Sequence, residues 1–262
     1  MELLIYQVDA FSGSVFSGNP AAVCPLPSWL PAETMQAIAA ENNLAETAFF
    51  VNTGPNRYHL RWFTPAVEMD LCGHATLASA YIIFRFLQAD IDHVAFDTMS
   101  GELTVQRRGD RLEMDFPARP PEPIRPCPGL VEALGGSPRK ILAARDYFVV
   151  YDTEEEIHAL QPDMAGLCGI DRFAVIVTAP SSTRGVDFVS RFFAPAQGVA
   201  EDPVTGSAHC TLIPYWAERL GKAELVARQV SKRGGTLFCA LRGERVSIAG
   251  EAALYLRGSI EF

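Results

Sequence analysis

Arg61-Trp62-Phe63-Thr64-Pro65-Ala66, running on to Leu71-Cys72-Gly73-His74-Ala75-Thr76, decides the fold because the chain says nearly the same thing a second time. The echo is Arg191-Phe192-Phe193-Ala194-Pro195-Ala196, followed by Glu201-Asp202-Pro203-Val204-Thr205-Gly206-Ser207-Ala208. Each copy reads Arg-aromatic-Phe-x-Pro-Ala, an irregular stretch, and then a glycine that opens a run of small and apolar residues with helical character. The arginines stand 130 residues apart and the glycines 133, so the second linker is three residues longer. A repeat at half the length of a 262-residue chain means duplicated domains, not the short period of a solenoid.

Outward from the first copy, residues 3 to 24 read as a hairpin turning at Ser12-Gly13-Ser14 and re-entering through Gly18-Asn19-Pro20. A helix is predicted over Pro31–Asn42, with proline at its first position and Ala32, Met35, Ile38 and Ala39 on one face. Leu44–Val51 is β-rich in its second half and carries one carboxylate, Glu46, near its start. Ala75–Leu87 has one charge in thirteen positions, so that helix must be enclosed on all sides. Short strands before and after it point to a sheet wrapped around it. Six prolines between Pro117 and Pro128 read as a linker. The second half repeats the plan, and its helix from Ser207 to about Leu220 contains Pro214, which should kink or shorten it. Glu154-Glu155-Glu156 reads as a solvated helix start.

Hydrophobic residues make up 48% and charged residues 20%, the balance of a globular protein with a real core. A net charge of -9 argues against nucleic acid and anionic membranes as partners. The start lacks the pattern of a signal peptide and no apolar run approaches the roughly 18 residues of a membrane span, so a cytoplasmic protein is expected. Six cysteines without a C-x-x-C pair offer no zinc or redox motif, and no metal is expected.

Gly73 and Gly206 each stand where a loop enters a helix. The first amides of a helix point outward with the positive end of its dipole, so two such ends facing each other across a domain interface would cradle a carboxylate. Beside them stand Glu46, His74 and Asp202, three groups able to move protons. Without metal-ligand spacing, a phosphate loop or a dinucleotide fingerprint, acid-base chemistry is the economical reading.

The set Val8-Asp9-Ala10-Phe11, Gly18-Asn19-Pro20, Glu46-Thr47-Ala48-Phe49, Phe63-Thr64-Pro65, Cys72-Gly73-His74-Ala75-Thr76 and Glu201-Asp202-Pro203-Val204-Thr205-Gly206-Ser207 resembles the phenazine-biosynthesis isomerase (PhzF-like) family, with the diaminopimelate epimerase fold. The resemblance implies an α+β protein of two pseudo-symmetric domains, 1–118 and 119–262, each a β-barrel-like sheet wrapped around a central helix, with the final strand able to pack back on the first domain. It implies a cofactor-independent isomerase of a small carboxylic acid, related to the enzyme that isomerises trans-2,3-dihydro-3-hydroxyanthranilate, with the active site between the domains. By analogy Glu46 shuttles the proton and His74 and Asp202 assist, while Gly73, Gly206 and Ser207 hold the carboxylate and Asn19 lines the cleft. A homodimer is the family-level expectation. The sequence departs from the family in having Ala45 where a serine commonly precedes the glutamate, and a pocket missing that hydroxyl binds a different polar pattern.

Two rival readings accompany this one. An epimerase, racemase or dehydratase of the same fold would use Cys72 as a thiol acid-base group, but the second copy has Thr205 in the matching place, a far weaker acid. The other is a non-catalytic small-acid binding or interaction protein that kept the fold.

Overall fold

The computed structural model describes residues 2–262, which divide into two compact units: the chain up to Asp115 together with Ala249–Phe262, and Phe116–Ile248.

The first unit opens with antiparallel strands β1 (Glu2–Ala10) and β2 (Asn19–Leu26), Tyr6 opposite Val23 and Ala10 opposite Asn19. Helix α1 (Ala32–Asn42) carries the chain across to β3 (Glu46–Gly54), which runs parallel to β2. Strand β4 (Arg57–Phe63) returns antiparallel and pairs with the short β5 (Glu68–Met69). Helix α2 (Gly73–Ile82), continued by a wider turn over Ile83–Leu87, is the second crossover; it leads to β6 (His93–Thr98), parallel to β4, and the meander of β7 (Gly101–Arg108) and β8 (Arg111–Pro117). Parallel neighbours require such crossovers, which is why each helix sits between two strands.

The second unit begins with β9 (Glu122–Pro123), α3 (Leu130–Leu134) and β10 (Lys140–Ala143), and β10 pairs with both β9 and β11 (Tyr147–Val150). Helices α4 (Glu154–Ala159) and α5 (Met164–Leu167) cross to β12 (Val175–Pro180), parallel to β11. Strand β13 (Phe188–Phe193) returns antiparallel, α6 (His209–Leu220) crosses to β14 (Glu224–Gln229), parallel to β13, and β15 (Gly235–Arg242) and β16 (Arg245–Gly250) follow. The last strand, β17 (Ala252–Glu261), belongs to the first unit and pairs antiparallel with β1 from Glu2↔Glu261 to Ala10↔Ala252.

The duplication is visible in this pairing. Strands β4 and β13, which end in the repeated Arg-aromatic-Phe, each stand between an antiparallel partner and a parallel one. Arg61 forks onto Glu68 at 2.6 and 2.7 Å, and Arg191 forks onto Glu201 at 2.7 and 3.1 Å. The same two-point clamp therefore pins the irregular stretch after the strand in each unit. Trp62 and Phe192, between arginine and phenylalanine, are buried in their cores.

Helix α2 is buried from His74 to Ala80 and again at Ile82, packed against β1, β2 and β3. Its alanines allow that close approach, and its hydroxyls are satisfied within the helix: Thr76 Oγ donates to the Cys72 carbonyl and Ser79 Oγ to that of Ala75. In the second unit α6 packs on β14 and β15, with Trp216 stacked on Phe188 at 5.4 Å and donating to Thr178.

Two expectations are corrected here. Pro214 does not shorten α6: the Cys210 carbonyl, which loses its helical partner to the proline, accepts instead from the backbone N–H of Arg119 at 2.8 Å. By the same bond, and by the pairing of β9 with β10, the proline-rich stretch is folded onto the second unit and is not a free linker.

Candidate active site

In the first unit three element ends meet. Strand β2 starts with Asn19, β3 with Glu46 and α2 with Gly73-His74, and the parallel β2–β3 pair sets Ala21 beside Glu46. The start of β2 depends on Gly18, whose φ is +73° and where an added Cβ would fall 2.3 Å from the Ala10 carbonyl oxygen. Cys72, extended at φ -143°, precedes α2 and turns its thiol inward. Neither Gly73 nor Gly206 is among the described glycines with left-handed backbone, so no positive φ requires a glycine at either place.

These ends converge on the imidazole of His74. Its Nε2 lies 3.0 Å from Oε2 of Glu46, at ion-pair distance but without hydrogen-bond alignment. Its Nδ1 faces Asn19 Nδ2 at 3.2 Å and Cys72 Sγ at 3.5 Å. The His74 and Glu46 side chains are 6% and 15% exposed and Asn19 is fully buried, so the carboxylate is the member of the set within reach of a ligand. Asn19 sits behind the histidine.

Burial works against a charged His74, but the Glu46 carboxylate beside Nε2 favours it, and His74 is raised well above the ordinary histidine value. The Cys72 thiol is itself pushed up, first by burial and then by Glu46. It stays protonated near neutrality. Donor atoms of Glu46, Cys72 and His74 lie within 4.8 Å of one another, the only such trio among the described residues. The thiol faces one ring nitrogen and the carboxylate the other, so an ion held by both would have to turn the ring or displace Asn19. The arrangement suits a carboxylate held beside a charged histidine better than a tetrahedral centre.

In the second unit the loop before α6 is tied down at every step. Asp202 N–H donates to the Phe192 carbonyl, and Thr205 Oγ donates to Asp202 Oδ2 at 2.5 Å. Buried Gln229, at the end of β14, accepts from Thr205 N–H and donates to the Asp202 carbonyl, both at 2.8 Å. Gly206–Ala208 form one tight turn into α6, with Gly206 buried and Ser207 half-buried. His209, fully buried, donates from Nδ1 to the Thr205 carbonyl at 2.9 Å. Burial lowers its pKa to about 4 against the partial support of that carbonyl, so it is neutral and structural.

Thus Glu46, His74, Gly73 and Asn19 come together in the first unit, and Asp202, Gly206 and Ser207 in the second. Sequence reasoning missed Gln229, Glu68 and Glu201. The two glutamates carry a readable signal, since they stand 133 residues apart like Gly73 and Gly206. A surface groove of about 430 Å³ between α1 and Ile260–Phe262 is lined by none of these residues.

The sequence matches the family described as "Phenazine biosynthesis-like protein" over residues 8–258. It is 56% identical to an uncharacterised isomerase of Pseudomonas aeruginosa across 99% of both chains, and 40% identical to phenazine biosynthesis-like domain-containing protein 1 of Mus musculus, again across 99% of both. Among solved structures, a PhzF-family protein of Enterococcus faecalis superposes with a TM-score of 0.96 at 46% identity, covering all of both chains. A hydroxyproline epimerase of Agrobacterium vitis superposes at 0.61 with 10% identity, covering 99% of this chain and 92% of the other, which is a likeness of fold alone.

Proposed function

Because the chain belongs to the phenazine biosynthesis-like (PhzC-PhzF) family, whose relatives include uncharacterised isomerases, we propose that it is a cofactor-independent isomerase that moves a proton on a small carboxylic acid. The observation that carries this reading is the pair of Glu46 and His74, 3.0 Å apart, with the carboxylate as its more exposed member.

In this mechanism Glu46 takes a proton from a substrate carbon and returns it to another carbon of the same molecule. The electron pair left behind shifts along the substrate, so no oxidant, reductant or second reactant is needed. His74 supplies the positive charge that faces Glu46 and holds the carboxylate in place between proton transfers. The first amides of α2, at Gly73, are the proposed holders of the substrate carboxylate. Asp202, oriented by Thr205, is the proposed hydrogen-bonding partner of a polar substituent.

Epimerisation through Cys72 receives no support from the thiol, which burial holds in its protonated form. The test is proton–deuteron exchange followed by NMR in heavy water, with trans-2,3-dihydro-3-hydroxyanthranilate and a panel of small cyclic and amino acids, beside the variant Glu46→Gln. Exchange or isomerisation of one compound that disappears in the variant supports the reading. A small acid that binds without any exchange would replace it with the binding-protein reading.

A further inference from the structure

Asn19 was expected to line a cleft, yet it is fully buried and its side chain lies on the imidazole of His74. Its amide nitrogen, 3.2 Å from Nδ1, can only donate, so in the neutral ring the nitrogen it meets is the acceptor. Cys72 Sγ, 3.5 Å from the same atom, is a thiol and also donates. Two donors therefore converge on Nδ1, and the carboxylate of Glu46 faces Nε2.

We infer that Asn19, with Cys72 behind it, is a positioning residue that keeps Nδ1 of His74 bare in the neutral ring and so fixes the histidine's last proton on Nε2, against Glu46. An imidazole in water shares its proton between both nitrogens, and a neighbour that can only donate removes the ambiguity. The consequence is directional: any proton His74 gains or loses beyond its last is gained or lost at Nδ1, away from the reacting carboxylate. Cys72 then acts through His74 and not on substrate. Gly18 belongs to the same device, because its left-handed backbone is what lets β2 start with Asn19 turned toward α2. The titratable groups placed against the ring are Glu46 from β3 and Cys72 from the approach to α2; Asp9, on β1, is engaged with the Phe16 N–H.

The inference rests on reading Glu46 and His74 as the proton-handling pair, but it is tested without turnover. Full-length protein labelled with ¹⁵N-histidine is titrated from pH 6 to 10, and the protonation of each ring nitrogen is read from long-range ¹H–¹⁵N correlations, with His74 assigned by its loss in His74→Gln. As the ring neutralises, Nδ1 should lose its proton while Nε2 keeps it. In Asn19→Asp, an isosteric change that presents an acceptor, Nδ1 should stay protonated, and the midpoint should rise by at least about one pH unit. Cys72→Ala, a smaller change in the same place, should leave Nε2 as the protonated nitrogen. Loss of the proton from Nε2, an equal mixture of tautomers, a ring still doubly protonated at pH 10, or an unchanged midpoint in Asn19→Asp would each overturn the inference. A panel silent in the exchange assay would count against the isomerase reading and leave these spectra as they are.

Discussion

Glu46 and His74 belong to different elements, a strand start and a helix start, and meet with Oε2 and Nε2 3.0 Å apart. The contact follows from topology: β3 lies parallel to β2, α2 packs against both, and the paired atoms sit where strand and helix begin together. A carboxylate this enclosed, opposite a histidine raised above its ordinary value, is a poor surface ion pair and a good proton carrier.

Glu46→Gln keeps the shape of the side chain and removes its basicity. Exchange of the substrate proton should fall by roughly 100- to 10,000-fold, the range of a general base, while circular dichroism stays unchanged. Wild-type exchange rates in the variant would remove Glu46 from the mechanism.

His74 makes stability depend on pH on the alkaline side. Its folded value is raised, so its stabilising contribution is fully present below the ordinary histidine value near 6.5 and is lost as pH rises through the folded value. Urea unfolding of the wild type and His74→Gln should differ most near pH 6 and converge upward. A gap that widens with pH would contradict the sign.

His209 acts on the opposite side. Held neutral with a value lowered to about 4, it costs stability as pH falls from about 6.5 through 4. The loss amounts to about 3 kcal/mol if the whole displacement is expressed. His209→Gln should flatten the acid limb of a stability–pH curve; an unaltered limb would assign acid unfolding to other groups.

Gln229→Leu removes the acceptor of Thr205 N–H and the donor to the Asp202 carbonyl. The cost should be roughly 1–3 kcal/mol for the buried Thr205 amide alone. Hydrogen exchange would show it as faster exchange at Thr205, with the amides of β1 unaffected. Activity should fall with it if Asp202 contacts substrate.

The duplication, the buried helices and the glycines before them were readable because each is a local pattern: a repeated six-residue motif, a missing charge, a break in periodicity. Relationships that need a fold to bring them together were not readable. Gln229 is a polar residue at the end of a strand, and nothing near it names Thr205 as its partner. Glu154 was read as a solvated helix residue, but it is buried and accepts from the Ser182 amide and the Ser181 and Ser182 hydroxyls, a loop far along the chain. Asn19 looked like a turn residue lining a cleft because its motif says only that it precedes a proline. Pro214 was read as kinking or shortening its helix, but the carbonyl that its missing N–H leaves wanting is answered by the backbone N–H of Arg119. Local rules predict which groups are left wanting, and tertiary structure decides what answers them.

Strand β17 has a consequence for synthesis. The second unit is one continuous segment, but the first waits for Ala252–Glu261 to pair with Glu2–Ala10. A ribosome therefore releases everything the second unit needs before it releases the last piece of the first. Until then β1 has β2 on one side and a vacant edge on the other, for the time taken to translate more than half the protein. The unit begun before the second is the one completed after it, and it is there, on nascent chains, that a chaperone would find an unpaired strand to hold.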